Sequence, residues 1–470
     1  MAVRDRLEPH TKTSEASGYP YWGWIIAILG LTLYAALAVT RLETWRALTN
    51  DMGWYSQALW TISHGHWTAP ATLAGRSPIG QAESYALYPL AGIYRLAGQP
   101  GILVVQAAAL ASGVLPLTRL VQRRGVPAYL GVFLVVAYLC YPAVVGTDLF
   151  DFHPDVLVVP LFFWALQALE EKRWPLYLTM MGLAPLVKNE LAAVTIVMAI
   201  PLVYRRYWGW AALTAGWATA ILILDFHVVG PYFEHYIADW GQYGYLGSTP
   251  HQALTTVLTH PVLVWRQLTR ARALEYLAVL LIPLLVWPVV TGVATGAVWP
   301  GLAVLGINIL SNHSERIDPY GYFSVAAAPF LFWTAAQWLP KHVSPRVATA
   351  TFALVTTLSV ATGVVARKAF YWPANPPIVA LDRAAKIIPA TAPLYGSQTT
   401  LPLLVNRTLA FRATPIRVLV KPVPGAWLLL STWDAPWQQP EGKLVRYALT
   451  HAPWTLRFHQ GSVWLFEALP

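Results

Sequence analysis

Apolar stretches long enough to cross a bilayer recur along this chain and constrain it more than any other feature. A membrane helix needs about 17 to 25 mostly apolar residues to cover roughly 30 Å of hydrocarbon. About eleven such stretches stand near 22–40, 100–119, 127–147, 156–170, 174–187, 190–204, 208–229, 274–291, 294–311, 321–339 and 347–366. Those at 156–170, 174–187 and 190–204 are short, which suits helices that are tilted, broken or buried in protein. Charged residues make up 11% of the chain, against about 25% in soluble domains. The expectation is an all-α polytopic membrane protein of about eleven transmembrane helices.

Lys and Arg exceed Asp and Glu, 32 to 22. Long apolar segments leave no continuous basic face for nucleic acid, so the excess is read as membrane orientation. Alternate loops carry Arg4, Arg6 and Lys12; Arg119, Arg123 and Arg124; Lys172 and Arg173; Arg205 and Arg206; and Lys341 and Arg346. Short cytoplasmic loops are enriched in such residues, so these fall inside. A plasma (cytoplasmic) membrane protein follows, multi-pass, with its N-terminus inside and its C-terminus outside. Ala36-Leu37-Ala38 resembles a signal-peptidase site, but the preceding apolar run is long for a signal peptide and is read as a retained anchor. The lone Cys140 excludes an intramolecular disulfide and a cysteine-rich metal site.

Residues 1–18 read as a disordered cytoplasmic tail and 19–366 as the transmembrane domain, with long external loops at 41–99 and 230–272. Within those loops, 53–64 and 84–97 are expected as interfacial helices. Trp240, Tyr243, Tyr245 and a basic helix with Arg266, Arg270 and Arg272 are expected at the membrane surface, in contact with lipid. From 367 to 470 the pattern changes to short strands and helices. Helices are expected at 378–388, 401–406 and 441–451, strands at 393–397, 409–412 and 427–431, and a hairpin at 455–460 and 463–468. This is a small extracytoplasmic α/β domain, large enough for a modest core of its own.

Polar groups at membrane depth are costly and default to functional candidates. Four clusters stand out, all on the predicted outer side. Asn50-Asp51-Met52-Gly53 with Gln57 follows the first crossing, where Asp51 is either a site acid or the cap of helix 53–64. Asp148-Leu149-Phe150-Asp151-Phe152-His153-Pro154-Asp155 ends the third crossing. In an extended segment Asp151 and His153 share a face and suit one divalent cation, Mg or Mn, while Asp155 also suits the first turn of a helix begun by Pro154. Lys188-Asn189-Glu190 is either a salt-bridged turn or a phosphate site in which Lys188 is the cation and Glu190 a substrate contact. The segment 312–322, with Tyr320 and Tyr322, is either a polar loop or a source of substrate hydrogen bonds. Asp225 and His227 form a weaker pair inside the seventh crossing.

Asp51-Met52-Gly53 with Gln57-Ala58-Leu59-Trp60, Leu139-Cys140-Tyr141-Pro142, Phe150-Asp151-Phe152-His153-Pro154-Asp155 and Lys188-Asn189-Glu190 together resemble a family of bacterial and archaeal multi-spanning proteins catalogued as a domain of unknown function, number twenty seventy-nine. That family is similar to the GT-C glycosyltransferases, which use lipid-linked sugar donors. The resemblance implies a GT-C-like membrane domain in which Asp51 is the first-loop acid and Asp151 with His153 the second, metal-holding motif. Lys188 would bind a donor phosphate. The third motif more usually reads Lys-Glu-Asp, so Asn189 and Glu190 depart from it, and the penultimate loop lacks a His-Tyr pair.

The function expected is therefore hexosyl or pentosyl transfer from a polyprenyl-phosphate-linked donor at the outer face to an unspecified acceptor. Asp51 and Asp151 are the catalytic acids, and Gln57, Lys188, Glu190, Tyr320 and Tyr322 contact substrate. Asp51, Asp151 and His153 are the candidate metal ligands. The rivals are a lipid or small-solute transporter or flippase, and a non-catalytic membrane assembly protein. No related halves are visible of the kind that many transporters carry.

Overall fold

The computed structural model describes residues 18–73, 75, 77–233, 241–338, 344–365, 372, 376–414, 419–433 and 441–469. Residues 1–17 of the expected tail, Trp240, Lys341 and the predicted boundary near 367 lie outside them. Each of the eleven apolar stretches falls on helix. Among the described residues, four helical runs are long and apolar enough to cross a membrane unaided: Tyr21–Glu43, Leu87–Arg123, Trp208–Tyr232 and Arg346–Val365. Two helix pairs pass the same test only when each bent pair is taken together. Ala128–Leu139 and Pro142–Phe150 meet at 45°, and Ala271–Leu284 and Trp287–Thr295 meet at 84°. Asn189–Tyr204 and Trp299–Leu310 are shorter apolar helices.

The breaks follow from local sequence. Pro142 has no amide hydrogen and starts the second limb of its pair as a first-turn proline. Gly363 packs against that break, where a Cβ would lie 2.0 Å from the Cys140 carbonyl oxygen. At the sharper bend, Leu285 and Val286 take positive φ after Pro283, which ends the helical ladder. The expected helix at 84–97 begins at Leu87 and runs through a kink at Gly98, φ 59°, into the next crossing instead of standing alone. The expected basic helix at 266–272 also differs. Pro261–Thr269 ends before Arg270, whose guanidinium donates to the Ile309 and Ser311 carbonyls at 2.7 and 2.9 Å.

The basic loops assigned to one side meet in space. Arg119 and Arg123 reach Glu171 at 3.0 and 2.8 Å, Arg173 joins at 3.7 Å, and Arg205 pairs with the adjacent Glu170 at 2.5 Å. The four polar clusters gather elsewhere, around the segments 48–57, 148–155, 188–190 and 313–323.

The C-terminal segment forms a mixed five-stranded sheet: β1 Leu394–Gly396, β2 Ala410–Arg412, β3 Trp427–Ser431, β4 Trp454–Gln460 and β5 Val463–Ala468. The order is β2-β1-β3-β5-β4, with the first three strands parallel and the β4–β5 hairpin antiparallel. One face packs on helix Glu441–Thr450 through Leu444, Val445 and Ala448. Leu394, Leu429 and Leu465 belong to a second apolar cluster, shared with Ala58, Leu59 and Leu87 of the first loop and with helix Ile378–Ile387. Through that cluster the sheet is tied to the membrane helices.

Candidate functional site

After the first crossing the chain reverses at Trp45, φ 58°, and Thr49–Gly53 makes one wide turn before helix Trp54–Ser63. The C-terminal domain pins this turn: the Thr49 amide donates to the Gln398 carbonyl at 2.8 Å and its hydroxyl to the Ser397 carbonyl at 3.0 Å. No side chain caps the following helix, so Asp51 does not serve as its cap. Its carboxylate, 21% exposed, meets His153 Nε2 at 3.2 Å.

His153 is fully buried and clamped by rings. Tyr322 stacks on it at 3.4 Å and 16°, Phe150 stacks at 5.8 Å, and Tyr55 meets it edge-on at 5.7 Å. Gln106 holds the backbone beneath: its carbonyl accepts from the His153 amide at 3.1 Å and its amide donates to the Asp151 carbonyl at 3.1 Å. With Nδ1 turned toward the Asp151 carbonyl at 3.4 Å, the imidazole has Nε2 left for Asp51.

Asp151 goes elsewhere. One oxygen accepts from Arg41 at 2.6 Å and the other from the Leu48 amide at 2.9 Å. Burial pushes its carboxyl up to about 7, while Arg41 and the Leu48 amide pull it back. The segment is extended as the sequence suggests, but its ends are engaged differently: Asp151 braces the first crossing and His153 braces Asp51. Among the described residues no three His, Cys, Asp or Glu side chains form a metal-holding group. The expected ligand set Asp51, Asp151 and His153 does not fit one ion, because both Asp151 oxygens are already bonded. Asp148 is buried beside Arg41 and Asp151, away from Asp51, with neither carboxylate oxygen bonded among the described residues.

Lys188 and Glu190 join a buried ion cluster. Lys188 Nζ lies 3.3 Å from Asp155 and 3.8 Å from Glu190, over the rings of Tyr322 and Phe323 at 5.4 and 5.0 Å. Glu190 is also gripped by both terminal nitrogens of Arg316, one at 2.6 Å, and the Arg316 guanidinium stacks over Phe323 at 4.3 Å. Asn189 donates to Glu83 at 2.5 Å. The two cations and two acids balance, so the cluster is anchored yet carries no net charge. Asp155 thus takes a place in it that the helix-start reading did not foresee.

These groups face one cavity of about 890 Å³. Asp51, Trp54 and Tyr55 form one wall, Lys188, Glu190, Arg316 and Tyr322 the floor, and Tyr395, Phe411, Arg412 and Lys421 of the C-terminal domain the third side. Tyr320 lines a neighbouring recess of about 120 Å³ that also reaches Asp51 and Tyr322. Gln57 does not line the cavity. It is fully buried, donating to Thr72 Oγ1 at 2.9 Å and the Arg407 carbonyl at 3.3 Å and accepting from the Leu73 amide at 3.0 Å. That makes it a brace between the first loop and the C-terminal domain. Asp225 bonds to the Tyr85 hydroxyl and also stands outside the cavity. Sequence reasoning missed Arg41, Gln106, Arg412 and Lys421. A cation at the predicted outer end of the first crossing, against the charge rule, was the available signal for Arg41.

The family described as "Predicted membrane protein (DUF2079)" matches residues 41–439. The chain belongs to that family. DUF2079 membership makes it a membrane protein. Its fold is similar to that of ArnT from Cupriavidus metallidurans. The apo ArnT structure shares 14% identity at a TM-score of 0.59, covering 96% of this chain and 99% of that one. The structure bound to undecaprenyl phosphate shares 15% at 0.60, covering 96% and 100%. Such identity speaks for fold alone. No protein with a curated description matches this DUF2079 chain by sequence.

Proposed function

We propose that this chain is a membrane glycosyltransferase that moves a hexosyl or pentosyl group from a polyprenyl-phosphate donor to an acceptor hydroxyl at the outer face of the plasma membrane. The observation that carries the reading is the pairing of a polar cavity, with Asp51 at its wall, to an apolar recess beside it. The recess, about 330 Å³, is lined by Leu222, Phe226, Leu246, Leu254, Val257 and Leu310, and it shares Gln81, Glu190 and Gln242 with the cavity. A lipid phosphate sugar needs this combination, with apolar walls for the chain and polar groups for the head. The ArnT relative in fold was solved with undecaprenyl phosphate.

In this reading Asp51, held by His153, accepts the acceptor's hydroxyl proton as the oxygen attacks the anomeric carbon. The bond from that carbon to the phosphate oxygen breaks, and polyprenyl phosphate leaves with the bonding electrons. Lys188 steadies the phosphate from the floor, and Tyr320 and Tyr322 flank the sugar. The same reading takes about eleven crossings with the N-terminus inside, so that the C-terminal domain stands on the outer side, over the cavity.

The test is transfer itself. Proteoliposomes holding the full chain are given labelled polyprenyl-phosphate hexoses and pentoses together with a membrane-glycan extract. Wild type should release polyprenyl phosphate and label an acceptor, and Asp51→Asn should do neither. Movement of intact donor across the bilayer without bond cleavage would instead favour a flippase.

A further inference from the structure

Between Asp382 and Asp434 the sequence holds no acidic residue, while Arg383, Lys386, Arg407, Arg412, Arg417 and Lys421 fall in that interval. Arg407 is consumed inside the domain, donating to the Leu404 and Ala392 carbonyls at 2.7 Å each. Arg412 and Lys421 have another placement: both line the large cavity. Arg412 closes β2 and is half-buried, and Lys421 is exposed at the rim. Tyr395 and Phe411, stacked at 4.9 Å and 24°, line the same cavity, with Thr414 beside them in its lining.

Two of the three acids that line the cavity among the described residues are engaged elsewhere, and the third, Glu315, lies on the side formed by the segment 313–323. Asp51 meets His153 and Glu190 is gripped by Arg316, while Glu315 sits 4.0 Å from His313. Among the described residues, the C-terminal wall thus contributes two cations and no acid to offset them, beside an aromatic pair. Aromatic faces suit the apolar face of a sugar ring, and the two cations suit a carboxylate or phosphate on it. A donor phosphate is a poorer match for this wall. Among the described residues, the apolar recess that would carry a lipid chain is lined by residues between Gln81 and Leu310 and by none of the C-terminal domain.

We propose that Arg412 and Lys421, with the Tyr395–Phe411 platform, form an acceptor subsite for an anionic saccharide. The subsite rests on reading the cavity as a glycosyl-transfer site, but binding can be measured without transfer. The full chain in nanodiscs is titrated with glucose 6-phosphate, glucuronate, glucose and undecaprenyl phosphate. At least one anionic sugar should bind ten-fold or more tighter than glucose, with the tighter of the two naming the anion. Binding should weaken as salt rises. Arg412→Gln with Lys421→Gln should reduce that binding at least ten-fold and leave undecaprenyl phosphate binding unchanged. Arg412→Lys with Lys421→Arg should retain most of it, and Lys386→Gln with Lys443→Gln, which removes equal charge elsewhere on the domain, should change nothing.

Anionic sugars binding no better than glucose would overturn the proposal. So would equal losses in the control pair, or loss of undecaprenyl phosphate binding with the anionic sugar. A chain that binds the anionic sugar as expected but transfers no label from any donor would keep the subsite and remove the transferase reading.

Discussion

His153 Nε2 lies 3.2 Å from Asp51 Oδ1, although 102 residues separate them in the chain. The imidazole cannot swing away, since Tyr322 covers one face and Gln106 fixes its backbone. Asp51 is thereby the acid whose position is set from behind while its other side faces the cavity.

Asp51→Asn should preserve folding and membrane insertion, because it keeps size and hydrogen-bonding capacity. Loss of a catalytic base costs about 10² to 10⁴ in rate. Transfer per folded molecule, measured as polyprenyl phosphate released, should fall within that range. A change smaller than about three-fold would remove Asp51 from the base role.

Glu190→Gln should destabilise the protein, because it strips the carboxylate from Arg316, which is 3% exposed. Breaking one side of such a pair costs about 3 kcal/mol, whereas replacing both sides with apolar groups is often near neutral. Chemical unfolding in detergent should show that loss for Glu190→Gln and much of it recovered in Glu190→Leu with Arg316→Met. Equal losses in both would mean the cluster is not acting as a buried pair.

Gln57→Leu separates bracing from substrate contact. It leaves the Leu73 amide and the Arg407 carbonyl without their partner, a loss of about 1 to 3 kcal/mol. The melting temperature should fall while turnover per folded molecule stays within about three-fold. A raised KM at an unchanged melting temperature would return Gln57 to the substrate.

Asp151 makes stability depend on pH. Its folded carboxyl, pushed up to about 7 by burial, binds a proton that an unfolded Asp, at about 3.9, has already lost over that range. Its contribution is complete below about pH 4 and is lost as pH rises through about 7. The melting-temperature margin of wild type over Asp151→Asn should therefore be larger at pH 5 than at pH 8. A margin that grew with pH would mean that the Arg41 pair, not burial, governs this carboxyl.

Chelation tests the metal expectation. Because both Asp151 oxygens are bonded to Arg41 and Leu48, treatment with EDTA should change transfer by less than about two-fold, and Mg or Mn should add nothing. Loss on chelation with recovery on adding Mn would require Asp151 to leave Arg41.

Much of the fold was legible because its signals are local. Apolar length marked the helices, and alternation with turn residues marked β1 to β5 within a residue or two. The bends were not legible: Pro283 is visible in the sequence, but the left-handed Leu285 and Val286 that follow are imposed by packing. The site was legible in part. Asp51, His153, Lys188, Glu190 and Tyr322 were marked as costly polar groups at membrane depth, and they converge. The same rule marked Gln57 and Asp151 but could not tell a brace from a contact, since that depends on partners a hundred or more residues away. Arg412 and Lys421 escaped it because charge beyond the apolar stretches costs nothing noticeable until a fold aims it at a cavity.

The hydrogen bonds from Thr49 to the Ser397 and Gln398 carbonyls bear on biosynthesis. The turn that carries Asp51 is made early by the ribosome, but the groups that fix it are made near the end. A chain still being threaded into the membrane therefore holds this turn through Asp151 at Leu48 and His153 at Asp51, and its bonds to Ser397 and Gln398 form only when the C-terminal segment arrives.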